Sequence, residues 1–254
     1  MLYYRLFSYL IVLLLAFLLS LLFWKETLIY GILVSSCLLA FWGIWFLVDR
    51  KVETKKEKFF YSFFGFLIIF SAIFLFIFIE NIFLKIVLAV TAISLFFYYI
   101  DQLFTQYFKK MVVGLEKLWV FFRLSQIFII FLLASSFFGL TAFLYTPVFW
   151  LALILPVLIL VLGWYNNYGS WDVKIKAFYF KLIIALLIGE LFVVISFLPL
   201  IYYLKGMLLV IFYFFINESI NWHFSKERQA KQLATYLLIS IILILLILGT
   251  ATWF

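Results

Sequence analysis

Apolar runs of about 20 residues recur along the whole chain, and that recurrence limits what the chain can become. Nine runs stand out: residues 6–24, 28–48, 59–79, 82–100, 121–144, 147–165, 178–199, 205–222 and 232–252. A helix crossing the hydrocarbon layer of about 30 Å needs roughly 20 apolar residues at 1.5 Å each. Each run is therefore long enough for one crossing. Merging neighbours across the tight turns at Lys25-Glu26, Glu80-Asn81 or Thr146-Pro147 would give a rod of about 40 residues, too long for one passage. In lipid the backbone has no water to bond to, so each run must satisfy its own N–H and C=O groups, which a helix does. The expected fold is all-α: a polytopic transmembrane helical bundle of nine spans, arranged as four hairpins and a final helix. It forms a single integral membrane domain over 1–254.

Composition excludes the alternatives. Of 254 residues, 69% are hydrophobic and only 12% are charged. A soluble domain carries about 25% charged residues. There is too little polar side chain here to cover a surface in water, so the lipid bilayer is the partner for most of the length. The net charge of +8 would suit nucleic acid, but the charges lie in short connectors between apolar runs, and no nucleic-acid partner is expected. With the N-terminus in the cytoplasm, sixteen of the nineteen Lys and Arg fall on the inner side. Only Lys25, Lys85 and Lys205 fall outside. That asymmetry is the positive-inside rule, and it places the C-terminus outside. The expected location is a prokaryotic cytoplasmic membrane, with an organelle membrane as the other option. Tryptophan agrees, since indole rings prefer the headgroup level. Trp24, Trp150 and Trp253 fall at outer ends, and the other six at or near inner ends. The first run lacks a small-x-small cleavage pattern and reads as a retained helix.

The inner connectors begin near residues 49, 101, 166 and 217. This rhythm suits a degenerate repeat. It equally suits any hairpin-built protein with its charges on one side. Residues 101–119 differ from the other connectors. Leu103, Phe104, Tyr107, Phe108, Met111, Leu115 and Trp119 recur at three- and four-residue steps, with Gln102, Gln106, Lys109, Lys110 and Lys117 on the other face. That pattern predicts an amphipathic helix lying in the cytoplasmic interface, as an anchor or a reader of anionic headgroups.

Few polar groups lie inside the runs. Glu190 follows Gly189 in the seventh run, roughly 12–18 Å from either face at 1.5 Å per residue. A carboxylate there is costly and marks a candidate proton carrier, cation ligand or substrate contact. Against this stands a protonated Glu that hydrogen-bonds a neighbouring helix. Such bonds are worth only about 0.6–2 kcal/mol. Ser135 and Ser136 in the fifth run are candidate partners at similar depth, and read first as small residues for close packing. Asn217, Glu218, Asn221 and His223 at the inner end of the eighth run, with Asp101 and Asn166 in other inner connectors, are candidates for a polar cytoplasmic mouth. A helix end emerging into water explains them too. Pro156 should kink the sixth run.

One cysteine, Cys37, and one histidine, His223, leave no disulfide framework and no multi-residue Cys or His metal site. There is no P-loop, GxGxxG, HExxH or GxSxG, so no cofactor, metal or catalytic residue is assigned. The leading reading is a transporter-like or permease-like bundle with Glu190 as its buried coupling residue. A second is a non-catalytic membrane subunit or scaffold packing against helices of other membrane subunits. A third is an intramembrane enzyme acting on a lipid or isoprenoid substrate. The small-molecule or lipid substrate stays unspecified.

Overall fold

Long apolar side chains cannot satisfy the peptide groups between them, and in this chain the peptide groups satisfy one another. The computed structural model is helical along nearly its whole length. It describes residues 2–23, 29–49, 52, 54–109, 112–164, 171–224 and 230–250, with backbone alone for 2, 108, 109, 112–119, 164, 171–177, 221, 223, 224 and 230–233. Among these residues there are nine helices: α1 (Leu2–Leu21), α2 (Ile29–Asp49), α3 (Lys55–Phe76), α4 (Ile82–Lys109), α5 (Val112–Phe143), α6 (Val148–Trp164), α7 (Trp171–Ser196), α8 (Tyr202–Phe224) and α9 (Ala230–Thr250). Each matches one of the nine runs. Seven are long and apolar enough to cross a membrane, while Val148–Gly163 of α6 and Ala234–Thr250 of α9 are shorter apolar stretches.

Helix ends depart from the apolar runs where water takes over from lipid. The amphipathic stretch at 101–119 is divided between two elements. Residues 101–109 continue α4 without a break, and 112–119 open α5. Leu103 and Phe104 are buried there, while residues 110 and 111 lie outside the described residues. Local chemistry sets the other ends. Thr54 caps α3 by accepting from the Glu57 amide at 3.4 Å, with Glu57 in the first turn. Lys58 reaches back to Asp49 at 2.8 Å and ties the end of α2 to the start of α3. Asn81 Oδ1 accepts from the amides of Phe83 at 2.8 Å and Leu84 at 3.4 Å, which starts α4.

The chain forms two compact units, Met1–Ile129 and Ile130–Phe254, with the division inside α5. In the first unit α2 packs along α1 and α3, and α4 packs along α1 and α3. Helix α3 is the most enclosed, with Phe64, Leu67, Ile68, Ile69 and Ile73 almost fully buried. Gly65 lets Ile44 of α2 and the rings of Phe96 and Tyr99 of α4 close onto its backbone. In the second unit α7 packs along α6 and α8, and α8 packs along α9. There Phe138 of α5 stacks on Phe192 of α7 with centroids 4.3 Å apart. Outside both cores the helices present Leu, Ile, Val and Phe, many of them more than half exposed. In water such a surface would aggregate; in a bilayer it meets its own kind.

Candidate functional site

The placement of Glu190 begins with Pro156. Proline has no N–H, so the carbonyl of Ala152, four residues earlier, loses its ordinary helical donor. The helix α6 nevertheless runs through Pro156. The exposed carbonyl is covered by Gly189 of α7. A β-carbon at residue 189 would stand 3.0 Å from Ala152 O and 2.7 Å from Pro156 Cγ. Only a glycine fits this seam, and it brings the two backbones into close contact. With Gly189 turned in against α6, the next residue lies 100° further round the helix. Glu190 accordingly faces outward and is exposed.

Glu190 is thus not buried in a core, as the transport reading required of it. It also stands only six residues before Ser196, the last residue of α7, or about 9 Å along the axis. Within the apolar span Phe178–Ser196 it therefore lies three residues past the middle. Its neighbours on the outward face are Ile183, Leu186, Leu187, Val194 and Phe197, all exposed. The result is one carboxyl group in an otherwise apolar stripe.

The two serines occupy a different place. Ser135 and Ser136 are fully buried in α5. Ser136 donates to the carbonyl of Leu132 at 2.8 Å, an internal bond of its own helix. Ser135 Oγ has no hydrogen-bond partner and rests against Gly206 of α8. A β-carbon on residue 206 would lie 2.9 Å from the Cα and backbone N of Ser135. These small residues let α5 and α8 cross closely, and they stand apart from the outward face that carries Glu190.

The residues assigned to an inner mouth are distributed across both units. Asp101 is half-buried in α4 of the first unit. Asn217 is half-buried and Glu218 is buried, 6% exposed, in α8 of the second. For Asn221 and His223 the helix backbone is described, and Asn166 lies outside the described residues.

Sequence reasoning passed over a tyrosine cluster in the first unit. Tyr99 donates to the carbonyl of Tyr61 at 2.8 Å, and Tyr107 donates to the Tyr61 hydroxyl at 2.8 Å. The rings of Tyr61, Tyr99 and Phe122 lie against one another, with centroids 5.7–6.1 Å apart where Phe122 meets the two tyrosines. Ser62 Oγ and Gln106 Oε1, each one residue from a member of the cluster, are buried without a partner. The available signal was spacing. Tyr99 and Tyr107 are eight residues apart, about 80° from one another round the helix, and among 16 tyrosines such a pair does not stand out.

At the start of α8, Lys205 donates to the carbonyl of Ser196 at 2.8 Å and lies 6.0 Å from the Phe138 ring centroid. Lys85 lies 5.1 Å over the ring of Phe76. Between α6 and α7, Lys181 donates to the carbonyl of Gly163.

No protein-family model matches this chain, and no curated protein or solved structure matches it. Fold and surface together define its class: a multi-pass integral membrane protein whose apolar helices contact the lipid bilayer.

Proposed function

We propose that the protein is a membrane-embedded subunit that holds a partner transmembrane helix against the outward face of α7, with Glu190 at the centre of the contact. The observation that carries this reading is the exposed carboxyl group in an apolar stripe. Facing hydrocarbon, an ionised side chain costs about 2.5–3.5 kcal/mol at mid-helix on insertion scales. A neutral carboxyl in the same place still holds a donor and an acceptor without partners. Both costs fall if a helix bearing a basic or hydrogen-bond-donating side chain meets Glu190 at this depth. The seam at Gly189 and Pro156 directs the carboxyl outward, away from its own unit's core.

A permease-like role rests on the same residue and needs the same partner. With Glu190 outside its own unit's core, any polar path past it would be completed by the docked helix. The basic inner connectors, with the stretch at 101–119, would hold the protein at the cytoplasmic face of a prokaryotic cytoplasmic membrane. The polar inner end of α8, with Asn217 and Glu218, would open to the same side.

The test is photocrosslinking in native membranes. A crosslinking residue at Leu187, beside Glu190, should yield one identified membrane protein whose crosslinked helix carries a basic or amide side chain. The same probe at Val90 of α4, which is 58% exposed, should yield lipid adducts only. Glu190→Leu should abolish the protein adduct and Glu190→Gln should retain part of it. Lipid adducts alone at both positions would refute the docking role.

A further inference from the structure

We infer that the chain is a tandem duplication of a four-helix unit, α1–α4 followed by α5–α8, and that only the second copy acquired a docking carboxyl group, at the position where the first copy has Phe70. The duplication stands on its own observations; the docking role of Glu190 rests on the reading above.

The outer hairpin supplies the first argument. Helix α3 ends at Phe76 and α4 begins at Ile82; α7 ends at Ser196 and α8 begins at Tyr202. Both pairs are 120 residues apart, so both turns hold five residues, 77–81 and 197–201. The fourth residue of the second helix is lysine in each case, Lys85 and Lys205. Each lysine reaches back to the last residue of the preceding helix: Lys85 to the Phe76 ring, Lys205 to the Ser196 carbonyl. Chance hairpins share a length easily. They have no reason to share the register, the cation and the residue that it contacts.

The opening helices supply the second. Arg5-Leu6, Ile11 and Leu14-Leu15-Ala16 recur 118 residues later as Arg123-Leu124, Ile129 and Leu132-Leu133-Ala134. Four buried positions of α1 fall on buried positions of α5 in the same register, although α5 is also enclosed at Leu132 and Ser135, where α1 exposes Leu14 and Phe17. Ser8, Ile11, Leu15 and Leu19 are buried on α1, and Gln126, Ile129, Leu133 and Phe137 on α5. At the inner ends, Ile100-Asp101-Gln102 of α4 corresponds to Ile216-Asn217-Glu218 of α8, 116 residues on, and Gln102 and Glu218 are both buried. The change of register between the two ends of α4 and α8 is four residues, about one helical turn, which nearly preserves the facing.

The same register relates the third helices. On α3 the stripe that is not fully buried runs through Phe63, Phe66, Phe70 and Phe74 and on to Ile77 in the turn. Adding 120 gives Ile183, Leu186, Glu190 and Val194 of α7 and Phe197 of the turn that follows it, all exposed. On α3 the phenylalanines stack one upon the next, 63 on 66, 66 on 70 and 70 on 74, with centroids 5.5–5.7 Å apart. The first copy thus shows that this fold accommodates an apolar ring at the site of Glu190. The carboxyl is a departure from the shared pattern that folding does not demand, and an interaction outside the unit is the remaining use for it.

Two exchanges test this in the full-length chain. Swapping the turns, 77–81 for 197–201 and the reverse, should leave a monodisperse protein in detergent that melts within about 5 °C of the parent. Glu190→Phe should do the same and lose the crosslink at Leu187. If the turn exchange and Glu190→Phe both aggregate while Glu190→Gln is well folded, the two copies are not equivalent and the duplication is refuted. If Glu190→Phe folds and keeps its crosslinked protein partner, the duplication stands and the docking role of Glu190 fails.

Discussion

At the scale of single residues, Gly65, Gly189 and Gly206 each stand at a close helix crossing, and the atoms each one faces separate them. At Gly206 a β-carbon would collide with Ser135 Oγ and approach the α5 backbone to 2.9 Å. Backbone cannot rotate away, so Gly206→Ala must push α5 and α8 apart. Overpacking of this kind costs roughly 1–3 kcal/mol. At Gly65 the closest atom is Ile44 Cδ1, the free end of a side chain that can change rotamer, with Phe96 and Tyr99 next at 3.3 Å. Gly65→Ala should therefore lower the melting temperature in detergent less than Gly206→Ala. The opposite order would mean that the α5–α8 crossing is looser than its distances indicate. Gly189→Ala should resemble Gly206→Ala, because Pro156 is rigid and the Ala152 carbonyl belongs to the backbone. None of these differences was legible in the sequence. A glycine in an apolar run looks the same whether it faces a flexible methyl group or a peptide plane.

At the scale of elements, the α3–α4 pair is held at its inner half by the hydroxyls of Tyr99 and Tyr107, which both converge on Tyr61. Hydrogen bonds between membrane helices average about 0.6 kcal/mol in double-mutant cycles. Tyr99→Phe should cost about that much, since the Tyr61 carbonyl inside α3 keeps its helical donor, the amide four residues on. Tyr107→Phe should cost less, because it leaves the Tyr99 bond intact. A cycle of the two single variants and the double variant, read by unfolding in mixed micelles, should give a coupling below about 1 kcal/mol. A larger coupling would mean that the hydroxyls act as one chain. The helices themselves were legible as runs of about 20 apolar residues, since lipid leaves the backbone no alternative. Their inner ends were less so. Helix α4 continues to Lys109 and α7 starts at Trp171, beyond the apolar runs, because a helix can go on in water once its side chains turn polar.

At the scale of the molecule, the sidedness of the chain is open to direct measurement. In a Cys37→Ser background, Thr54→Cys should react with an impermeant thiol reagent only from the cytoplasmic side. Tyr145→Cys should react only from outside, since Tyr145 is 88% exposed in the turn between α5 and α6. Labelling of both from one side would overturn the topology. The number of helices among the described residues and their approximate limits follow from the sequence by itself, and the bias of Lys and Arg supplies the expected orientation, because hydrocarbon thickness and charge act on each segment independently of its neighbours. Which face each helix turns inward was decided only by the tertiary structure. In lipid both faces of a helix are apolar, so no alternation of oil and charge marks the inner side. Steric fit decides it instead, through contacts such as Gly189 against Pro156 and Gly206 against Ser135. That fit turned Glu190 out to the surface and Ser135 in to the core, although the sequence placed both in the middle of apolar runs.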